Sequence, residues 1–229
     1  MKIRSLYEFE KALDLEFGWR KQELATLSVE LKSSRNHQAR VLFRSGMVLL
    51  YAHWEGLIRF SAECFLLHLN RQGHSYKNLK PCFLFYATRA SISNSHNVNL
   101  HNYSSFEKTM DFFLVPQEAK FDIDPKPYIS TKENQNINSE QFKSIVGKLG
   151  LEYLPQYELR EKLIDDKLLY YRNTIAHGEN THQEVDDFYE TFSLTSDKII
   201  EILSLFRDQM ITAIKEKNYL SASQLNVAS

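Results

Sequence analysis

The sequence predicts an all-α protein, and three observations carry that expectation. Only 7 glycines and 5 prolines occur in 229 residues, about half or less of the usual frequencies of roughly 7% and 5%, so few breakers interrupt the chain. Apolar residues recur at helical spacing in long runs. Hydrophobic residues make up 43% and charged residues 25%, the mix of a globule that buries a core. The length is roughly 1.5 times a domain of about 150 residues. It fits one helical domain over 1–217, with an insertion or lid at 93–138 and a flexible tail at 218–229.

Each element has its own pattern. Leu6, Phe9, Leu13, Phe17, Leu24, Leu27 and Leu31 mark one amphipathic helix over about 5–32. After a polar break at Ser33 to His37, a longer helix over about 38–71 takes Val41, Val48, Leu49, Ala52, Leu57, Phe60 and Phe65 as its buried side and stops at Gly73. It is the central helix of a bundle on this reading, because it is apolar on more than one face. A shorter helix is expected over 79–93, with Pro81 in its first turn. The polar run at 93–105, an apolar piece at 106–114, three prolines and the tract TKENQNINS make 93–138 irregular. Asn138 and Gln141 begin a helix that Gly150 ends. Leu159, Leu163, Leu168, Tyr171 and Ile175 continue the helical pattern to His177-Gly178. Thr181 with Glu184 reads as the capping box of a last helix reaching about 217, with a kink near Ser193.

Several function classes drop out. The glycines are too dispersed for a GxGxxG or GxxxxGK[ST] phosphate loop. No CxxC or HExxH spacing exists, so neither a metal site nor a cofactor is expected. Cys64 and Cys82 cannot staple a chain of this size, which points to a reduced, cytoplasmic setting. The charged N-terminal stretch lacks the apolar region of a signal peptide. The most apolar stretch, 41–69, holds six ionisable side chains including Arg44, Glu55 and Arg59, too many for a bilayer span. Net charge is −1, which argues against a broad nucleic-acid-coating surface but permits a small basic cleft. Arg35, Arg40, Arg44, Arg71, Lys77 and Lys80 would form a phosphate-tracking rim or simply a solvated face.

One segment gathers chemistry: Tyr170-Tyr171-Arg172-Asn173-Thr174-Ile175-Ala176-His177-Gly178. Guanidinium presents a planar fork of donors suited to a phosphate. Imidazole takes and gives protons near neutrality. Arg172 and His177 diverge by about 140° on a straight helix, and a helix loosened at Gly178 would bring them to one cleft. Attack of an RNA 2′-OH on its own phosphate suits such a pair without metal. The same two residues also suit a plain helix C-terminus, where they cap carbonyls and complement the dipole. Tyr170 and Tyr171 are candidates for base stacking or core. In His53-Trp54-Glu55, Trp54 is expected in the core and Glu55 to pair with Arg59 at i,i+4. The segment braces the Arg172 site, or Glu55 acts within it.

R-N-T-I-A-H-G resembles the motif of HEPN-domain proteins, an Arg and a His separated by four to six residues with a polar residue after the Arg. L-Y-A-H-W-E-G, at Leu50 to Gly56, is similar to the subgroup near the RiboL-PSP type. The resemblance implies a helical bundle, commonly a homodimer, with metal-independent endoribonuclease activity in toxin or phage-defence systems. It carries Arg172, Asn173 and His177 over as catalytic residues and nothing else; Glu55 and Tyr171 are candidate supporting residues on the reading of the helices. RNA is then the substrate, and a neutralising or effector protein a further partner. One imidazole per chain cannot hold both the base and the acid position of an in-line attack, so a dimer with a composite site is expected. Two other readings stay open: a catalytically silent HEPN-type module binding RNA, a nucleotide or a protein, and a helical scaffold in a defence complex.

Overall fold

The computed structural model describes residues 3–87, 116–129, 136–180 and 187–225. Helices take up 78% of the described residues, and no strand occurs among them. Helix α1, Leu6–Ser33, starts on a capping box in which the Ser5 hydroxyl accepts from Glu8 N–H and the Glu8 carboxylate reaches back to Ser5 N–H. Phe9, Leu13, Phe17, Leu24 and Leu31 are buried along one stripe, as the spacing predicts. The polar break is shorter than expected, because α2 resumes at Asn36 and runs unbroken to Gln72. Its 37 residues extend about 55 Å. Gly73 ends it in the left-handed conformation, φ 69°, where glycine meets no steric penalty.

The buried side of α2 matches the expected one at Leu57 and Phe65, with Phe60 half-buried, and differs elsewhere. Phe43, Met47, Leu50, Trp54, Leu57, Ile58 and Phe65 face the core, whereas Val41 is 49% and Val48 38% exposed. Leu49 is half-buried and Ala52 exposed. Because α2 is apolar around most of its circumference, periodicity could not say which stripe its neighbours would cover. Those neighbours are α1 and the last long helix, α5, Phe188–Lys215, which pack on α2 and on each other. Gly46 lets them close up: a β-carbon there would sit 2.7 Å from Leu27 Cδ2 and 2.9 Å from the Phe192 ring.

Smaller elements fill the ends. The expected helix at 79–93 begins as two 3₁₀ turns, Tyr76–Asn78 and Pro81–Phe83, and turns α-helical only at 84–87. The rest of it, the apolar piece at 106–114 and most of the lid fall outside the described residues. The 3₁₀ geometry has a tertiary cause, since Lys80 N–H donates to Tyr219 O and Ser221 N–H to Asn78 O, each at 2.9 Å. That pairing also corrects the tail. Tyr219 and Leu220 are 2% and 5% exposed, so the chain stays packed past residue 217, and Ala222–Leu225 forms a further helical turn. Helix α3, Ser139–Lys148, is capped by Asn138, whose Oδ1 accepts from Gln141 N–H at 2.8 Å, and Gly150 follows at φ 70°.

From Pro155 the chain makes short helical turns, then a π-helical turn at Ile164–Leu169 leading into α4, Tyr170–Ala176. The Thr181–Glu184 box lies outside the described residues. The described part of the last helix starts at Phe188 with Asp187 as N-cap, and it passes Ser193 without a break.

Gly46→Val should lower stability by about 1–3 kcal/mol through overpacking. Gly147→Ala, where nothing lies within 4 Å of the added carbon, should raise it by up to about 1 kcal/mol. Urea midpoints of both variants at unchanged slope check the pair.

Candidate active site

The motif helix α4 lies against the N-terminal half of α2. Tyr171, 8% exposed, sets its ring edge-on to Phe43 at 5.3 Å, so it belongs to the core, while Tyr170 is 41% exposed. The next residue, Arg172, turns towards Tyr51 and lies half-buried. Its guanidinium carbon sits 5.2 Å from the Tyr51 ring centre, and its Nη1 donates to Asn173 Oδ1 at 2.8 Å. Asn173 Oδ1 also faces Asn136 Nδ2 at 3.4 Å. Among the described residues no carboxylate forms an ion pair with Arg172.

The helix ends at Ala176, and His177 is its C-cap, φ −82° and ψ 1°. Its N–H still donates to Asn173 O at 3.0 Å, and the reversal comes one residue later at Gly178, φ 77°. That bond keeps the His177 Cα on the helical path, so the divergence of about 140° stands. Arg172 points inward while His177 is exposed, and no contact within this chain joins them. Gly178 N–H to Ile175 O and Glu179 N–H to Thr174 O, each 3.0 Å, close the helix end. Arg44 Nη1 clamps that end from α2 by donating to Glu179 O at 2.6 Å.

The His53-Trp54-Glu55-Gly56 segment points in four directions. His53, 3% exposed, lies against α1, with Nε2 3.0 Å from the Glu23 carboxylate but not aligned for a hydrogen bond, and its ring edge-on to Trp19. Trp54 is fully buried and donates from Nε1 to Ile137 O at 2.8 Å. Glu55 pairs with Arg59 at 2.8 Å, as the i,i+4 spacing predicts, and lies beside the Tyr51 hydroxyl. Gly56 makes room for the buried guanidinium of Arg20, whose Nη2 would be 3.2 Å from an added carbon. Glu55 therefore reaches the site through Tyr51. Burial, with the Glu55 charge beside it, pushes the Tyr51 hydroxyl far above its ordinary pKa, so it stays protonated at neutral pH.

Tyr51, Asn136 and the clamp by Arg44 are the site residues that sequence reasoning missed. A signal existed for two of them: Arg44, Tyr51 and Glu55 are seven and four residues apart, which places them on one face of α2. Asn136 had none, since it sits in a polar tract. The cationic rim does not form as one feature. Arg44 and Arg71 lie about 40 Å apart along α2, Lys77 pairs with Glu118, and Lys80 donates to Gly150 O. Among the described residues no group of His, Cys, Asp or Glu gathers to hold a metal, and no helix is long and apolar enough to cross a membrane.

The family profile of RiboL-PSP-HEPN matches residues 15–217, spanning both the α2 segment and the motif helix. The chain belongs to the RiboL-PSP-HEPN family. HEPN domains act as nucleases or RNA-binding modules; many are ribonucleases and some are inactive. No curated protein and no solved structure matches the chain.

His53 makes the HEPN core sensitive to acid. Burial holds its pKa below the ordinary value, and the nearby Glu23 carboxylate only partly offsets that. The unfolded chain takes up the proton below about pH 6.5, while the folded one resists until a lower pH. Stability should therefore fall as pH drops from about 6.5 towards the lowered folded value, and His53→Gln should flatten this part of the profile. Urea midpoints measured between pH 7.5 and 5 give the slope.

Proposed function

We propose that the protein is a metal-independent endoribonuclease of the HEPN type, acting in the cytoplasm in a toxin or phage-defence setting. The observation that carries this reading is the state of Arg172: a half-buried guanidinium, stacked on Tyr51 and bonded to Asn173, with no carboxylate partner among the described residues. Such a cation is ready to receive an anion from outside the chain. In the proposed reaction the RNA 2′-oxygen attacks the adjacent phosphorus and the bond to the 5′-oxygen breaks. His177 removes the 2′ proton or delivers one to the leaving 5′-oxygen, and Arg172 stabilises the charge on the phosphate. The products carry a 2′,3′-cyclic phosphate and a 5′-hydroxyl.

The separation of Arg172 from His177 within one chain supports a composite site in a homodimer. An exposed apolar groove of about 580 Å³ runs along Val41, Val48, Leu49 and Ala52 of α2 to Ile175 of α4. Ile175 precedes His177 by only two residues, so a second copy covering this groove sets its own motif beside the first. The setting also calls for a neutralising or effector protein that holds the activity in check.

With excess EDTA present, purified protein should cut RNA to the products named above, and His177→Ala should abolish cleavage while leaving helicity and dimerisation intact. Arg172→Lys should lose nearly as much, because an ammonium lacks the planar fork. End analysis of the RNA together with sedimentation checks all three. A fully active monomer overturns the composite site. Intact RNA that still binds tightly makes the protein a silent RNA-binding module instead.

A further inference from the structure

The Arg172 guanidinium is held by a closed circuit of side chains, whose order is set from the arginine end, because a guanidinium only donates. Ile137 N–H donates to the Tyr51 hydroxyl oxygen at 2.8 Å. The hydroxyl proton faces Asn136 Oδ1 at 3.4 Å. The Glu55 carboxylate, whose Oε1 takes both Nε and Nη2 of Arg59 at 2.8 Å, stands beside the same hydroxyl. With its oxygen turned to Tyr51, Asn136 has to present its Nδ2 donor group to Asn173, at 3.4 Å. A donor there fixes which end of the Asn173 amide faces inward, because only the oxygen can accept. That same oxygen then takes the Nη1–H of Arg172 at 2.8 Å, and the Tyr51 ring closes the circuit beneath the guanidinium.

The backbone around Asn136 is anchored to match. Ile137, 1% exposed, has its N–H held by Tyr51 and its C=O held by Trp54, both from α2. Asn136 is therefore placed by α2 before it touches the motif. Arginine side chains lose rotamer freedom when fixed, so a guanidinium fixed in advance binds an anion more tightly than a mobile one.

We propose that Asn136 and Tyr51 are positioning residues for Arg172: acting through the Asn173 amide, they hold the guanidinium oriented for an RNA phosphate. The proposal rests on the reading of Arg172 as the phosphate-binding group. It gives Asn173 the role of orienting the arginine, and it gives the segment at 136–137 a part in the site.

The test uses the full chain, two readouts and two variants. Tyr51→Phe keeps the ring under the guanidinium and removes only the hydroxyl; Asn136→Ala removes the amide. The first readout is the ¹⁵N spectrum of the arginine side chains, with the Arg172 signals identified by their absence in Arg172→Lys. Both variants should release the hindered rotation of that guanidinium. The second is the affinity for a 2′-O-methyl RNA oligonucleotide, which cannot be cut by 2′-OH attack. Each variant should weaken binding by about threefold to tenfold, and neither should weaken it further in an Arg172→Ala background. Unchanged Arg172 signals in both variants overturn the proposal. So does an equal loss of affinity with and without the arginine, which marks a merely structural role. If the wild-type chain fails to bind the oligonucleotide while both variants free the guanidinium, the positioning stands and the RNA reading falls.

Discussion

The indole of Trp54 carries the constraint on which the rest of the site depends. It is wholly buried, sets its ring 5.1 Å from Phe142 of α3, and gives its only N–H to Ile137 O at 2.8 Å. A buried tryptophan needs a partner for that donor, and the partner here is the backbone just ahead of α3. With Tyr51, which accepts the Ile137 N–H, the indole fixes how α2 meets the chain at 136–139. Asn138 then caps α3 one residue beyond, and Asp165 accepts from both the backbone N–H and the hydroxyl of Ser139. The α2 helix, the start of α3 and the turn leading into the motif helix are joined at one point.

Much of this was legible in the sequence, and the reasons differ by element. The helical spacing of α1 and α5 marked most of their buried stripes, although α1 also exposes Tyr7, Leu15, Trp19 and Val29. In α2 the pattern gave the helix but not its orientation, since a helix with apolar residues nearly all round is placed by its neighbours. Arg172, Asn173 and His177 stood out by residue type and spacing. Their surroundings did not, because the ring beneath the guanidinium, Tyr51, is 121 positions away in sequence. Asn136 was hidden in the run TKENQNINS, whose composition reads as solvated loop. A polar residue there gains its role only from what α2 presents to it. The 3₁₀ turns at 76–83 were equally out of reach, being fixed by hydrogen bonds to residues 219 and 221.

The electrostatics of the site follow from the same arrangement. Glu55 is a carboxylate within reach of the motif, yet Arg59 engages it from one side and the Tyr51 hydroxyl stands on the other. Its charge is consequently balanced within α2 and does not neutralise Arg172. In a chain of net charge −1, any attraction for a polyanion has to be local, and Arg172 is a cation kept clear of carboxylates among the described residues.

The π-helical turn at Ile164–Leu169 has a consequence for how this protein can diverge. Such a turn holds one residue more than the α-helical path it replaces, so everything downstream is rotated by about 100° relative to a continuous helix. The phase of Arg172 relative to Tyr51 is thus set by a residue count several positions upstream. Losing a single residue from this turn would turn the guanidinium away from α2 while leaving every motif residue in place. A homologue can therefore keep the whole Arg-to-His signature and yet turn its arginine away from α2, and the length of the chain between Asp165 and Arg172 tells the two arrangements apart.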